Sequence, residues 1–451
     1  MVANTTTSVV TFSILSPDAS LSYDRIKLRL EEYRTLLASD SDTIELLTEN
    51  GKTIICRKQA KEMEEYLDQA EILLRDVVQS RDVPTLVVLH RLRDLAGVLD
   101  NLKLYDECRL TGNCALDLAE ILGRQSLEFR QEQAEALAHI AGLSIYEPRA
   151  RTLFIQAVSI GEEVVEHNSS HSNKRKLLTV LHRAGYWGSG DLSAQWLERA
   201  IQLMTKELPP TMVDPAFRSV IYYNYGNDLR QLKQHASAAE AYQESISIRR
   251  IMVNNELANY SYNLAIALFN MGNTLHTLGK YDDAIAAYKE NLDIYTAISA
   301  QDPPQYNELM AKTFVNYGVT LLTLNQFSEA AAVQKQAISL YRNLGHERTQ
   351  QFCSALHGYG KSCYSLGEHA EAVLAFQESI PLWRACAATD PKQEIHLRRA
   401  LHNIANSLNA LGKCIEADAA ATEALERNHG RVFEPCGYPP DVKSCFVCQK
   451  S

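Results

Sequence analysis

The stretch LFNMGNTLHTLGKYDDAIAAYKENL, residues 268–292, decides the fold. Its apolar and small residues fall at Leu268, Met271, Gly272 and Leu275, break at Gly279, and resume at Ala284, Ile285, Tyr288 and Leu292. That is i, i+3, i+4, i+7 spacing on two successive helices, with a turn at Gly279 and Lys280. Gly272 and Ala284 are expected where the two axes press closest, because a larger side chain there would hold the helices apart.

The same unit recurs. Anchored on the residue equivalent to Gly272, copies stand at Ala96, Ala138, Leu181, Gly226, Gly272, Gly318, Gly360 and Ala405, in steps of 42, 43, 45, 46, 46, 42 and 45. Twelve positions after the anchors come Cys108, Ala150, Ser193, Ala238, Ala284, Ala330, Ala372 and Ala417, a row small enough for the second helix to nest on the first. Twenty positions after them come Leu116, Val158, Ile201, Ile246, Leu292, Ile338, Ile380 and Leu425, all aliphatic. Each is worth about 1.5–3 kcal/mol when a neighbour buries it. Pro209-Pro210, Pro303-Pro304 and Pro391 fall between copies, where a missing N–H costs least.

Around this array the chain divides into a loose N-terminus at 1–22, a helical cap at 23–82, degenerate copies at 83–216, the clear array at 217–428 and a Cys-containing tail at 429–451. The cap contains an amphipathic helix from Asp24 to Ala38 and a longer one from Lys58 to Ser80. Thr43 to Cys56 between them reads two ways. Asn50-Gly51 is a hairpin signal, while Asp42 with Glu45 is a capping box for a helix ending at Gly51. The helical context favours the second reading.

The last five copies carry the pattern clearly, as in MGNTLHTLGKYDDAIAAYKENL, YGVTLLTLNQFSEAAAVQKQAI and YGKSCYSLGEHAEAVLAFQESI. They resemble the tetratricopeptide repeat. Steps of 42 to 46 exceed its usual unit of about 34 residues. The longer form is similar to the kinesin light chain subclass, which also carries Asn two residues before the anchor, as in YYNYGN, LFNMGN, FVNYGV and LHNIAN. The resemblance implies an all-α fold, a right-handed solenoid of about eight helical hairpins, whose first helices line a concave groove that holds a peptide or partner segment.

Positions two before and one after each anchor are expected to face that groove. They hold Asn224, Asn227, Asn270, Asn273, Asn316, Asn403 and Asn406, with a break at Gly358 and Lys361. An amide offers donors and an acceptor, so such a row can hold an extended peptide by its backbone. The same residues could instead bridge adjacent copies or face water. Some tetratricopeptide domains clamp a C-terminal carboxylate, and Asn227, Asn270 and Lys312 match part of that pattern. Tyr223 and Asn316 replace its cations, so a peptide ending in Glu-Glu-Val-Asp is expected to bind weakly or not at all.

In the tail, His429, Cys436, Cys445 and Cys448 are candidate zinc ligands, since a two-residue gap lets one turn present two thiolates. The bland reading is a tail whose Phe433, Tyr438 and Phe446 cap the last copy. Apart from that possible zinc no cofactor is expected.

With a formal net charge of −10 and no cluster of Lys and Arg, nucleic acid is a poor fit as a partner. No run has the length of a membrane span, and MVANTTTSVVTFSILS lacks the marks of a signal peptide, so a cytosolic or nuclear location is expected. The ten cysteines are scattered as buried reduced thiols would be. The 13 histidines are dispersed, and neither a P-loop, a dinucleotide fingerprint nor a nucleophile elbow occurs. Tyr242, Tyr288 and Phe376 fall at core positions, and Glu162, Glu163 and Glu166 read as a solvated face. The expected function is a non-enzymatic scaffold for a peptide or protein segment. The alternative is a sensor or autoinhibitory arm of a larger signalling assembly, as similar repeats are in immune receptors and caspase-like proteases.

Overall fold

The computed structural model describes residues 26–32, 34, 43–48, 51–79, 86–143, 149–188, 190–254, 261–299, 303–345 and 350–427. Helix α1 covers residues 26–32. Strands β1 (Thr43–Thr48) and β2 (Gly51–Cys56) follow, then α2 (Arg57–Gln79). Thr43 to Cys56 is therefore a hairpin and not the helix favoured above. Thr43 pairs with Cys56 and Thr48 with Gly51, leaving a two-residue connection. The β-branched Thr and Ile of both strands outweigh the capping box.

Eight helix pairs then run in chain order: α3 (Leu86–Asn101) and α4 (Tyr105–Gly123), α5 (Leu127–Leu143) and α6 (Ala150–His167), α7 (His171–Trp187) and α8 (Asp191–Gln202), α9 (Pro215–Gln231) and α10 (His235–Asn254). The others are α11 (Ser261–Thr277) and α12 (Tyr281–Ser299), α13 (Pro303–Thr323) and α14 (Phe327–Asn343), α15 (Gln350–Ser365) and α16 (His369–Thr389), α17 (Glu394–Ala410) and α18 (Cys414–Glu426). The eight anchors lie one in each first helix, and every one of them is buried. So is every residue twelve positions on, from Cys108 to Ala417. The fold is all-α, a succession of helical hairpins along the chain with one small β-hairpin near its start.

Turn geometry fixes the register independently. Six first helices end on a left-handed residue seven positions after the anchor: Lys103, Lys233, Gly279, Asn325, Gly367 and Gly412, with φ between 58° and 81°. The next residue then reaches back to the helix: Lys280 N–H to the Leu275 carbonyl at 2.9 Å, Glu368 to Cys363 at 2.8 Å, Lys413 to Leu408 at 2.9 Å. These bonds satisfy carbonyls that a helix end would leave bare, and the left-handed residue turns the chain into the second helix.

The chain forms two compact units that divide after Asp228. In the first, Ile26, Leu30, Leu67, Ala70 and Leu74 pack α1 and α2 into one core with α3 and α4. A second core joins Phe154, Leu177, Leu181, Trp196, Leu197 and Ile221. In the second unit the core is a succession of smaller clusters between neighbouring pairs. A Cβ added to Gly272 would stand 2.6 Å from Cε1 of Tyr288, and one on Gly360 would stand 2.7 Å from Cε1 of Phe376. Gly272 thus lies beneath a ring sixteen positions on, a partner beyond the small residue expected at the closest approach. The small residue at twelve lets the second helix approach, and the ring at sixteen fills the space above the glycine. In the last pair Ala405 and Ala421 meet there instead, small against small.

Outside, the second helices of this unit are tied by a regular ion pair. An Arg twenty-four positions after one anchor meets a Glu eighteen after the next: Arg250–Glu290 at 2.5 Å, Arg342–Glu378 at 2.8 Å and Arg384–Glu423 at 2.8 Å. In the first unit the pair is reversed, Glu162 with Arg199 at 3.0 Å, and Glu163 meets Arg130 at 2.6 Å, so these acids do more than face water. The link between α12 and α14 is vacant, with Thr296 and Gln336 at the two positions. Installing it with Thr296→Arg and Gln336→Glu is expected to raise stability by about 0.2–1 kcal/mol, as exposed pairs do. A double-mutant cycle in urea, run at low and at high salt, checks it; a coupling that salt leaves untouched would mean the pair had not formed.

Candidate interaction surface

The first helices α11 and α13 are joined through side-chain amides. The Tyr288 hydroxyl, reaching past Gly272, donates to Asn273 Oδ1 at 2.8 Å, and Asn316 Nδ2 donates to the same oxygen at 2.8 Å. Asn273 Oδ1 is thereby fully used. What remains is Asn273 Nδ2 as a donor and Asn316 Oδ1 as an acceptor, on neighbouring helices and half-buried. One turn along, His276 Nδ1 lies 2.9 Å from Thr320 Oγ1 and ties the same two helices again. Burial pulls the His276 imidazole below its ordinary pKa, so it acts here as a neutral hydrogen-bonding group.

The other predicted residues fall into different surroundings. Asn270 is half-buried on α11. Lys312, on α13, is held by Glu308 at 2.7 Å, so its charge is neutralised one turn away. Asn403 and Asn406, on α17, are only 6% and 4% exposed, and Asn403 Nδ2 lies 3.1 Å from His357 Nε2 on α15. They belong to the inside of the stack. Asn224 and Asn227 lie on α9 in the first unit, and Asn224 Nδ2 is buried with no hydrogen-bond partner among the described residues. His429, Cys436, Cys445 and Cys448 lie outside the described residues.

The break in the Asn row has a physical cause. Gln334 on α14 takes the place that Tyr288 and Phe376 hold in their own pairs, and its amide packs between Gly318 and Gly358. A Cβ at Gly358 would stand 2.7 Å from Gln334 Nε2, so an asparagine there would require the Gln334 amide to leave the place it fills between the two glycines. Three further polar groups escaped the sequence reading. Asn291 on α12 is fully buried, donating to the Ala265 carbonyl at 2.6 Å and accepting from Thr313 at 2.8 Å. Lys289 lies over the Tyr317 ring, 5.5 Å from its centroid, and Lys335 lies over Tyr359 at 5.3 Å. Each Lys stands seventeen after an anchor and each Tyr one before the next, a spacing visible once the register is set.

Among the described residues no group of His, Cys, Asp and Glu could hold a metal ion, and no helix is long and apolar enough to cross a membrane.

Residues 217–297 and 311–344 match family models of the tetratricopeptide repeat. No curated protein matches the chain. Among solved structures, the apo form of RapI is similar over 77% of this chain and 100% of its own, at 9% identity and a TM-score of 0.50. BtubC (BKLC) from P. vanneervenii is similar over 54% of this chain and 92% of its own, at 18% identity and a TM-score of 0.42. Kinesin light chain TPR-like repeats from Podosopora anserina cover 48% of this chain and 95% of their own, at 14% identity and a TM-score of 0.37. The likeness to RapI shows a shared helical fold that extends beyond the two segments matched to the repeat family.

Proposed function

We propose that the chain is a non-enzymatic interaction scaffold that holds a peptide or partner segment against the first helices α11 and α13. The observation that carries this is the donor and acceptor left side by side by Asn273 and Asn316. Bonds to Tyr288 and between the two amides fix their orientation before any ligand arrives, so little side-chain entropy is lost on binding. A peptide group needs one acceptor for its N–H and one donor for its C=O, and this pair supplies both without reading a side chain. Tetratricopeptide repeats generally mediate protein–protein interactions, which agrees with a surface of this kind. The long steps and the Asn two before the anchor favour the kinesin light chain-like subclass.

Peptides selected from a random displayed library on the full chain should bind at least tenfold more weakly to Asn316→Ala, with an unchanged circular dichroism spectrum. Selected binders indifferent to both Asn316→Ala and Asn273→Ala would remove the basis of the reading. A peptide ending in Glu-Glu-Val-Asp should show no appreciable binding, because Glu308 already engages Lys312. Tight binding of that peptide, lost in Lys312→Glu, would show the clamp to be intact after all.

A further inference from the structure

In the first unit the first helices α3, α5 and α7 carry a polar network that the proposed function does not use. Glu132 on α5 is held from both sides, by His90 Nε2 on α3 at 3.0 Å and by Lys176 Nζ on α7 at 2.7 Å. Farther along the same helices, Arg93 on α3 approaches Glu135 only to 3.9 Å, and Arg183 Nη1 on α7 donates to His139 Nδ1 at 2.8 Å. Burial and the two guanidinium groups push the His139 imidazole down to about 3, so it is a neutral acceptor and adds no charge. Burial lowers the Arg183 guanidinium and the nearby Arg93 lowers it further, while Glu135 supports it. Glu135 is itself pushed up by burial and by Glu132.

Counting the side chains of this patch, Arg93, Lys176 and Arg183 face Glu132 and Glu135, which leaves one positive charge uncompensated. Within a chain of net charge −10 that is a local reversal of sign. Holding two half-buried guanidiniums against one carboxylate costs free energy in the empty protein, and an arriving anion would relieve it. Arg183 spends one N–H on His139 and meets no carboxylate among the described residues within the 4.0 Å of an ion pair, so the rest of its planar fork is open to a planar oxyanion.

One turn beyond Arg183, Tyr186 and Trp187 are 54% and 41% exposed and meet edge to face at 4.8 Å. The Trp187 indole lies on α5, where a Cβ on Gly142 would stand 2.7 Å from its Nε1. Gly142 is itself one turn from His139. Exposed Trp and Tyr beside half-buried Arg is the composition found where interfaces concentrate their binding energy.

We infer that Arg93, Arg183, Tyr186 and Trp187 form a second recognition surface, on the first unit, for a carboxylate side chain of an acidic peptide segment. The excess of one charge matches a monoanion better than a phosphate dianion. The exposed rings cover the aliphatic stem next to the carboxylate. This surface is independent of the Asn273 and Asn316 pair, so either reading can fail alone.

Trp187 supplies the test. Trp196 and Trp383 are 8% and 1% exposed, so Trp187 is the tryptophan an added ligand can reach. The full chain is titrated at low salt with hexaglutamate, and separately with free glutamate, inorganic phosphate and hexalysine, following tryptophan emission and the anisotropy of labelled hexaglutamate. The net negative protein repels polyanions at long range, so binding reports the local field. Hexaglutamate is expected to give a saturable change that hexalysine lacks. Its affinity should fall at least tenfold in Arg183→Gln and in Arg93→Gln, while Trp187→Phe abolishes the emission change and keeps most of the anisotropy change. Asn316→Ala should leave it intact. No saturable binding, or equal affinity in two folded Arg variants, overturns the surface; saturation by phosphate at lower concentration than by hexaglutamate overturns the carboxylate assignment.

Discussion

Gly272→Leu is expected to lower the stability of the second unit by about 3 kcal/mol or more, the upper range of overpacking in a close-packed core. Leucine is the better helix former by roughly 0.8 kcal/mol, so intrinsic propensity acts in the opposite direction and is outweighed. The first atom of any side chain at this site would already stand 2.6 Å from the Tyr288 ring. That ring has little freedom to retreat: it is buried, and the rings of Phe269 and Tyr317 both lie at centroid distances of 6.4 Å from it. Displacing it also breaks the bond from its hydroxyl to Asn273, which leaves a half-buried polar pair unsatisfied. Because neighbouring pairs in a stack support each other, the loss should spread to α13 and α14 and broaden the unfolding transition. Urea denaturation measures it. Tyr288→Ala in the same chain should recover part of the loss by making room, as the contact of Ala405 with Ala421 does in the last pair. A Gly272→Leu protein that melts like the wild type would mean that the register assigned to these helices is wrong.

The rows of small and aliphatic residues were legible before any coordinates, because burial at fixed offsets is imposed by helix geometry and leaves its mark on composition. Leu181, too large for the expected pattern, is buried nonetheless, since the degenerate copies pack through larger and less regular cores. The partner of Gly272 was not legible. Ala284 and Tyr288 lie one turn apart on the same face of α12, and only the crossing of the two helices decides which one covers the glycine. The Asn row was legible as a row but not in its state. Asn273 and Asn316 share one oxygen at half-buried positions, whereas Asn403 and Asn406 at the same offsets are buried. Offsets within one helix cannot reveal this, because it depends on which residues the next helix presents. For the same reason Arg93, Glu135, His139 and Arg183 drew no notice, being ordinary charged residues until three helices bring them together.

Asp228→Asn is expected to stabilise the chain at pH 8 and to do little at pH 4. Asp228 is 6% exposed, and its nearest polar partner is Ser193, whose hydroxyl lies 2.5 Å from Asp228 Oδ2 and 2.7 Å from the Gly185 carbonyl. Burial pushes the Asp228 carboxyl up to about 6 from 3.8, and the bond to Ser193 offsets only part of that. A carboxyl with a folded pKa above its unfolded one binds its proton more tightly in the folded chain. Its stabilising contribution is therefore complete below about pH 4, and it is lost as the pH rises through about 6. Above that point the fold holds a buried carboxylate against its desolvation, a cost of up to about 3 kcal/mol, taking 1.36 kcal/mol per unit of pKa. Asparagine has the same shape, keeps an oxygen to accept from Ser193 and cannot ionise. Its advantage over aspartate should consequently grow from near zero at pH 4 to about 2–3 kcal/mol at pH 8. Denaturant titrations of both proteins across this range test the point. An advantage constant with pH would assign the effect to packing, and a disadvantage at pH 8 would show that the carboxylate is met by a cation.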